Sequence, residues 1–219
     1  MKIGMLKKLQ LRCVFALCCC AISFSSLVAQ NGTKRCKTTT YSLRYSPEKF
    51  QEINVLPEYI QRSLSEHLTQ KLGAALAEKI HFDGGEIINY KQLVQADPQV
   101  KQYKWVAPKY DLRYVLSDTC SAIRYCCSRI VLDSLGNIIV DTEFPALSKN
   151  KYNSIFISNE KLIEIARKLG LQTSSYGLGI AKNHIVFIFS LKKNNTTMTF
   201  TEISVHTGEI IRKYKGSVN

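Results

Sequence analysis

The sequence predicts an α+β fold in which helices pack on antiparallel sheet. Two stretches, residues 57–80 and 159–169, carry apolar side chains at helical spacing, so each is expected to form an amphipathic helix. Elsewhere, short runs rich in β-branched and aromatic residues are separated by polar turns. That arrangement is typical of hairpins and meanders.

The first helix is predicted from Pro57 to Ile80. Its apolar residues recur at every fourth position: Ile60, Leu64, Leu68, Leu72, Leu76 and Ile80. This stripe is expected to face a core. Gly73 lowers the helix propensity slightly, and the run Asp83-Gly84-Gly85 is expected to end the helix.

Strands are predicted on both sides of a second, shorter helix. The strand segments are residues 112–116, 122–132, 137–141, 185–190, 197–205 and 209–214. Between residues 86 and 108 the pattern favours a short helix followed by a strand. The second helix is expected to begin after Ser158, a suitable N-cap, and to end at Gly170. Its apolar face comprises Leu162, Ile163, Ala166 and Leu169.

The first 29 residues have the order of a secretory signal peptide. Four positive charges precede an uncharged, largely apolar run from Cys13 to Val28, and cleavage is expected near Ala29 and Gln30. The run is shorter than the ~20 residues that a membrane-spanning helix needs. Acylation at Cys20 is an alternative, although Leu17 and the neighbouring cysteines do not fit a lipobox. The sequence therefore predicts a secreted or periplasmic protein.

The mature chain is expected to be basic. The full sequence has 30 Lys+Arg against 17 Asp+Glu, and removal of the four positive charges of the leader lowers the formal net charge from +13 to +9. The basic residues are scattered rather than clustered, which argues against a nucleic-acid site. We expect the partner to be a protein or peptide in the cell envelope or outside, with membrane contact only during export unless the chain is lipidated.

Four cysteines remain after cleavage, and export favours disulfides. Cys126 and Cys127 are neighbours whose side chains point to opposite faces of a strand, so they are not expected to bond to each other. Two pairings remain open. One joins Cys36 with Cys126 and Cys120 with Cys127, whereas the other joins Cys36 with Cys127 and Cys120 with Cys126. Buried free thiols are a third interpretation.

No catalytic, cofactor-binding or metal-binding residue is predicted. Nucleophile elbows, P-loops, dinucleotide fingerprints and Cys-x-x-Cys pairs do not occur in the sequence. The four histidines are expected to be exposed polar residues: His67 on the first helix, His81 after it, His184 at the start of a strand and His206 in a turn. If the chain were instead an exported hydrolase, a deep pocket would bring together at least two of five residues, which we call the hydrolase set. These residues are His67, His81, His184, Asp141 and Glu143.

One segment alternates aromatic and basic residues. The aromatic members are Tyr103, Trp105, Tyr110 and Tyr114, and the basic members are Lys101, Lys104, Lys109 and Arg113. Such a segment can form a recognition surface for a peptide, a glycan or a protein. The alternative is a strand with its aromatic face in the core and its basic face in water.

The C-terminal part resembles the PepSY module. The features that carry the resemblance are the helix from Asn159 to Ala166, the antiparallel strands that follow it, and the Thr207-Gly208-Glu209 turn within residues 203–211. His206 departs from the pattern, because an acidic or amide residue is more usual there. The resemblance implies an exported, non-catalytic α+β module associated with propeptides and with proposed peptidase inhibition, and no functional residue is transferred by it.

The segment from Ile130 to Ile139 is similar to residues 203–211, since each combines a strand, a polar turn and two isoleucines. Two similar α+β units are therefore one interpretation. They would occupy residues 56–148 and 149–219, after an extended polar arm at 30–55. The function we expect is that of an exported non-catalytic binding or regulatory module that interacts with peptides or proteases. The alternatives are an exported hydrolase and a lipid-anchored surface component.

Overall fold

The computed structural model describes residues 32–36, 39, 41–102, 107–150, 152, 154–173, 176–193 and 197–217. These residues belong to one compact unit, Asn31–Asn219, which contains helices and two antiparallel-rich sheets. The predicted α+β class is thereby confirmed. The signal peptide, its cleavage site and Cys20 lie outside the described residues.

The first sheet has the strand order β1-β5-β4-β3-β2, and β6 also pairs with β5. Its strands are β1 (Thr33–Lys34), β2 (Glu48–Phe50), β3 (Ile80–Ile87), β4 (Tyr110–Leu116), β5 (Tyr125–Leu132) and β6 (Ile138–Val140). Only β1 runs parallel to its neighbour among the described strands of this sheet. The predicted hairpin around Asp133–Gly136 is present as the β5–β6 pair.

The second sheet is a meander of four strands in the order β10-β9-β8-β7. Its strands are β7 (Tyr176–Ala181), β8 (His184–Lys192), β9 (Thr197–Ser204) and β10 (Ile210–Ser217). Three of these strands were predicted, but β7 was not. Gly177 and Gly179 weaken its strand pattern. The β9–β10 pair extends over seven register positions, whereas β5–β6 has two, so the two similar sequence segments form hairpins of different length.

The first predicted helix is shorter than expected. Helix α1 spans Glu58–Leu72 and buries the four expected apolar residues within it, and the single turn α2 (Ala74–Ala77) buries Leu76. Gly73 separates them with φ of +80°, a conformation that residues with a Cβ rarely adopt. Ile80 therefore does not end the helix, as predicted, but begins β3.

The run Asp83-Gly84-Gly85 does not end a helix, because it lies inside β3. The register of β3 against β4 shifts between Phe82 and Gly85, and Gly84 has φ of +105°. This is a β-bulge that uses the conformational freedom of glycine. Gly85 also leaves room for a ring, since a Cβ there would lie 2.6 Å from Cζ of Phe50.

Two further helices have side-chain N-caps. In α3 (Tyr90–Ala96) the side chain of Asn89 accepts a hydrogen bond from the backbone N–H of Gln92, and in α4 (Asn159–Lys168) Ser158 accepts one from that of Lys161. The predicted N-cap at Ser158 is confirmed. Each cap satisfies a backbone donor that the first helical turn leaves free.

One hydrophobic core joins the helices and both sheets. It includes Leu64 and Leu72 from α1, Leu112 from β4, Leu162 from α4 and Phe187 from β8. Residues of the segments 56–148 and 149–219 therefore contribute to the same buried cluster. A smaller cluster consists of Ile88, Leu93 and Val100, with Tyr41 and Tyr45 packed against it.

Parts of the N-terminal arm are fastened to the first sheet. Cys36 is bonded to Cys127 on β5, and the hydroxyl of Tyr41 donates a hydrogen bond to Asp111 on β4. The hydroxyl of Tyr45 accepts one from the backbone N–H of Asn89. Within the described ranges, none of the helices combines the length and apolar character needed to span a bilayer.

Candidate functional site

The structure contains one disulfide in its described part, Cys36–Cys127, with a Cα–Cα distance of 4.9 Å. It belongs to one of the two predicted pairings, but the second bond of that pairing is not formed. Cys120 is a free, exposed thiol and Cys126 is a free, buried one. Cys36 pairs with Cys127 rather than with Cys126 because neighbouring residues of a strand lie on opposite faces. Cys126 faces the core, so Cys127 faces the arm. The bond fits an oxidising environment.

The four aromatic residues of the alternating segment do not form one described surface. Tyr103 and Trp105 lie outside the described residues. Tyr114 is 4% exposed and belongs to the core, and Tyr110 is half-buried and packs against it. Alternation along β4 places Tyr114 on the same face as Leu112 and Leu116. Tyr114 is thus a core residue rather than part of an exposed recognition surface.

His67 and Asp141 are the members of the hydrolase set that contact each other. Nε2 of His67 lies 2.9 Å from Oδ1 of Asp141, whose other oxygen accepts a hydrogen bond from Lys71 Nζ at 2.7 Å. Although burial opposes ionisation of Asp141, the hydrogen bonds from Lys71 and His67 lower its pKa. In the part of the chain that the structure describes, no serine or cysteine side chain hydrogen-bonds to His67.

Asp141 and Glu143 line one cavity, but it is small, with a volume of about 70 Å³. Ligand sites usually have volumes of roughly 300–1,000 Å³. Glu143 also pairs with Lys34, whose Nζ lies 2.8 Å from Oε2. The cavity can therefore hold little more than water beside a neutralised carboxylate.

Of the other histidines, His184 and His206 lie near each other, with ring centroids 6.4 Å apart. His81 is exposed and lies 3.3 Å from the hydroxyl of Ser117, and His184 lies 3.5 Å from the Asn150 side chain. His206 is buried, not exposed as predicted, because its ring stacks on Phe156 and its Nδ1 lies 2.7 Å from the backbone oxygen of Ile155. Among the described residues, no group of three potential ligands could hold a metal ion.

A polar cavity of about 510 Å³ lies beside the loop that contains Cys120. Asp118 in this loop pairs with Lys79 at 2.7 Å. Burial opposes ionisation of Asp118, but hydrogen bonds from Lys79 and from the backbone N–H groups of Cys120 and Ser121 lower its pKa. The carboxylate of Asp118 therefore already has hydrogen-bond partners, and its charge is compensated by Lys79 within the fold.

The most distinctive cavity is a cleft of about 400 Å³ between α1, α2 and β3, which we call the α1–β3 cleft. Its apolar wall includes Ile53, Leu68, Ile80 and Phe82. The α1 side chains Gln61, Ser65 and Thr69 and the exposed carboxylate of Glu78 supply its polar lining. Apolar walls with a few polar groups are typical of ligand sites.

Tyr114 also lines the α1–β3 cleft. Its hydroxyl is buried and has no hydrogen-bond partner among the described residues. Burial raises the pKa of Tyr114, so the hydroxyl remains neutral at physiological pH and keeps its proton for donation. Most buried polar side-chain atoms in proteins have a partner. Tyr114 therefore presents an unused donor and acceptor at an otherwise apolar wall.

Half of one β3 edge is open beside this cleft. Strand β2 pairs only with Gly85, Glu86 and Ile87, whereas Ile80, His81 and Phe82 pair with β4 on their other side. No described strand pairs with the outer edge of residues 80–82. The bulge at Gly84 separates the paired half from the open half, and the chain after β2 continues into the 3-10 turn Ile53–Val55.

The sequence pattern did not indicate this site. The four-residue spacing of the apolar residues predicts a helix unbroken to Ile80, and this hides the start of β3 at residues 80–82. Two local signals could have indicated the site: the glycine at position 73, and the small side chains of Ala74 and Ala77, which leave space where larger ones would fill it.

Comparisons of this chain with protein-family models, with curated proteins and with solved structures find no match.

Proposed function

We propose that the chain is an exported, non-catalytic binding module that takes up an extended peptide segment as an additional strand. The peptide would pair with the open edge of β3 at Ile80–Phe82, and one of its side chains would enter the α1–β3 cleft. The observation that carries this proposal is the coincidence of an unpaired strand edge with an apolar cleft of about 400 Å³.

The physical reason lies in the unpaired backbone groups. An open strand edge presents N–H and C=O groups that a peptide backbone can satisfy, and this supplies affinity largely independent of sequence. Side chains of an added strand alternate between the two faces of the sheet. Ile80 and Phe82 point towards the cleft, whereas His81 is on the opposite face. Every second peptide side chain would therefore face the cleft.

Export is supported by two independent features. The first 29 residues have the charge and hydrophobicity order of a signal peptide. The Cys36–Cys127 bond fits the oxidising compartments that exported proteins reach. We propose that the mature chain is secreted or periplasmic and that it meets its peptide partner there.

The absence of catalysis is part of the proposal. Asp141 and Glu143 share a cavity of only about 70 Å³, and neither His67 nor Asp141 lines the α1–β3 cleft. The resemblance of the C-terminal part to the PepSY module, a group associated with propeptides, supports a peptide-binding role.

The proposal can be tested with displayed peptides. The full chain is expressed and recovered after export, and randomised peptides of about six residues, the length of one strand, are selected for binding. The strongest peptide is then synthesised with each backbone nitrogen methylated in turn. We expect methylation to abolish binding at alternate positions only, because alternate N–H groups of an added strand face β3. Failure to select any peptide, or a loss without alternation, contradicts the proposal.

Two neighbouring alanines provide a matched test of the site. Both are exposed on the same helical turn, but Ala74 lines the α1–β3 cleft and Ala75 does not. Ala74→Trp should fill the cleft and weaken binding of the selected peptide by about tenfold or more. Ala75→Trp should bind as the unmodified chain does. Equal affinities of the two variants would place the peptide elsewhere.

A further inference from the structure

The aromatic wall of the α1–β3 cleft limits which side chain fits it. Its two aromatic lining residues, Phe82 and Tyr114, meet edge to face with centroids 5.8 Å apart, and Phe82 also stacks at 5.7 Å on Phe50, which does not line the cleft. Aromatic side chains gain from such offset and edge contacts beyond the area that they bury. A planar ring entering the cleft would extend this series from Phe82.

The unpartnered hydroxyl of Tyr114 adds a polar requirement. This hydroxyl is already buried without a hydrogen bond, which is unfavourable, and a wholly apolar occupant would leave it so, whereas an occupant with a polar tip could supply the missing bond. An anionic occupant would bring a negative charge to the cleft that Glu78 lines and would bury it near apolar residues. The favoured occupant therefore combines an aromatic ring with a neutral hydrogen-bonding tip.

We propose, on the basis of the peptide-binding function above, that the α1–β3 cleft selects a tyrosine side chain of the bound strand. Its ring packs against Phe82, and its hydroxyl exchanges a hydrogen bond with that of Tyr114. Serine and threonine are too short to fill about 400 Å³, and phenylalanine leaves Tyr114 unsatisfied. Tyr114 is then a specificity-determining residue.

The test compares peptides that differ at one position. The position of the selected peptide whose replacement by alanine weakens binding most is taken as the anchor and is made tyrosine, phenylalanine, phosphotyrosine or tryptophan. The unmodified chain should bind the tyrosine peptide about tenfold more tightly than the phenylalanine peptide. It should bind the phosphotyrosine peptide more weakly than the tyrosine peptide because of its negative charge beside Glu78. It should also bind the tryptophan peptide more weakly, because an indole N–H cannot accept a hydrogen bond from Tyr114.

Tyr114→Phe provides the decisive comparison. Because this substitution removes a hydroxyl that has no partner, the variant should fold and unfold at a temperature no lower than that of the unmodified chain. It should no longer prefer the tyrosine peptide to the phenylalanine peptide, because the hydroxyl of the peptide tyrosine would lose its partner in the cleft. A preference for tyrosine that persists in Tyr114→Phe, or a tighter complex with phenylalanine, phosphotyrosine or tryptophan in the unmodified chain, overturns the inference.

The two proposals fail in different ways. If no peptide binds, or if N-methylation shows no alternation, strand addition itself is refuted. If binding alternates with N-methylation and is lost in Ala74→Trp, but tyrosine is not preferred, strand addition stands and only the tyrosine selectivity is refuted.

Discussion

The hydroxyl of Tyr41 lies 3.1 Å from Oδ2 of Asp111, the carboxylate that also pairs with Arg129 across β4 and β5. Nε of Arg129 lies 2.9 Å from Oδ1, so both carboxylate oxygens are engaged. The side chains of Asp111 and Arg129 are only 7% and 18% exposed. A residue of the N-terminal arm is thus joined to a buried ion pair on the first sheet.

Neutralising Asp111 should destabilise the fold strongly. Asp111→Asn keeps the shape of the side chain and can still accept from Tyr41, but it leaves the guanidinium of Arg129 without its counter-charge. Loss of one partner of a buried pair costs about 3 kcal/mol or more in the free energy of unfolding. Urea unfolding of both proteins measures the difference.

The matched control for this prediction is Glu164→Gln. Glu164 makes ion pairs with Lys161 and Lys168 on the solvent-facing side of α4, and hydrogen bonds from these two lysines lower its pKa to about 2. Exposed pairs contribute little because water screens them. No measurable change in stability is expected. If Glu164→Gln lowered the free energy of unfolding as much as Asp111→Asn, burial would not be what makes the Asp111–Arg129 pair important for stability.

His206 should make stability depend on pH. Burial lowers the pKa of His206 below its ordinary value of 6.5, the hydrogen bond to Ile155 opposes the shift, and His184 lowers it further. In the unfolded chain the imidazole takes up a proton as the pH falls through 6.5, whereas in the folded chain it resists doing so. The unfolded state then binds more protons, so the free energy of unfolding should decrease as the pH falls below 6.5.

The measurement is urea unfolding between about pH 8 and about pH 5, the range in which histidine titrates. His206→Asn serves as the comparison, because its amide nitrogen can replace Nδ1 as the donor to Ile155 but does not titrate. The decrease should be smaller in His206→Asn. An identical pH profile in the two proteins would show that another group, such as the nearby His184, causes the dependence.

Local periodicity made the helices and most strands predictable. The four-residue spacing of α1 and the Ser158 cap of α4 depend on neighbouring residues, so both could be read from the chain itself. Strand β7 could not be predicted in this way, because its glycines have low strand propensity. Their use becomes clear only from the paired strand: a Cβ on Gly179 would lie 2.6 Å from Cδ1 of Ile188.

The candidate site depends on contacts that are distant in sequence. The alternation of Leu112, Tyr114 and Leu116 favoured a core face for Tyr114, and this interpretation was available from the sequence. The sequence could not show that the hydroxyl of Tyr114 lacks a partner, because this depends on how α1 and β3 pack around β4. Pairing of Cys36 with Cys127 likewise joins residues 91 positions apart and stayed one of two alternatives until the fold was known.

Removing the disulfide should destabilise the chain by about 4 kcal/mol. The bond closes a long loop between residues 91 positions apart, and restricting such a loop in the unfolded state has an effect of this order. The double variant Cys36→Ala/Cys127→Ala avoids leaving one reactive thiol. Its free energy of unfolding, measured with urea, should be lower than that of Cys120→Ser, which removes an exposed free thiol and should match the unmodified chain.

The two free thiols should differ in reactivity. Cys120 is exposed, whereas Cys126 is buried, and burial raises the pKa of the Cys126 thiol to about 12. Because the thiolate is the reactive form, Cys126 should not react in the native chain. After export and loss of the leader, a thiol-specific reagent such as DTNB should label one thiol per folded chain and two in urea without reductant. Cys120→Ser should abolish the native reaction and leave one thiol in urea. Two reactive thiols in the folded chain would contradict the burial of Cys126, and none in either state would contradict the pairing of Cys36 with Cys127.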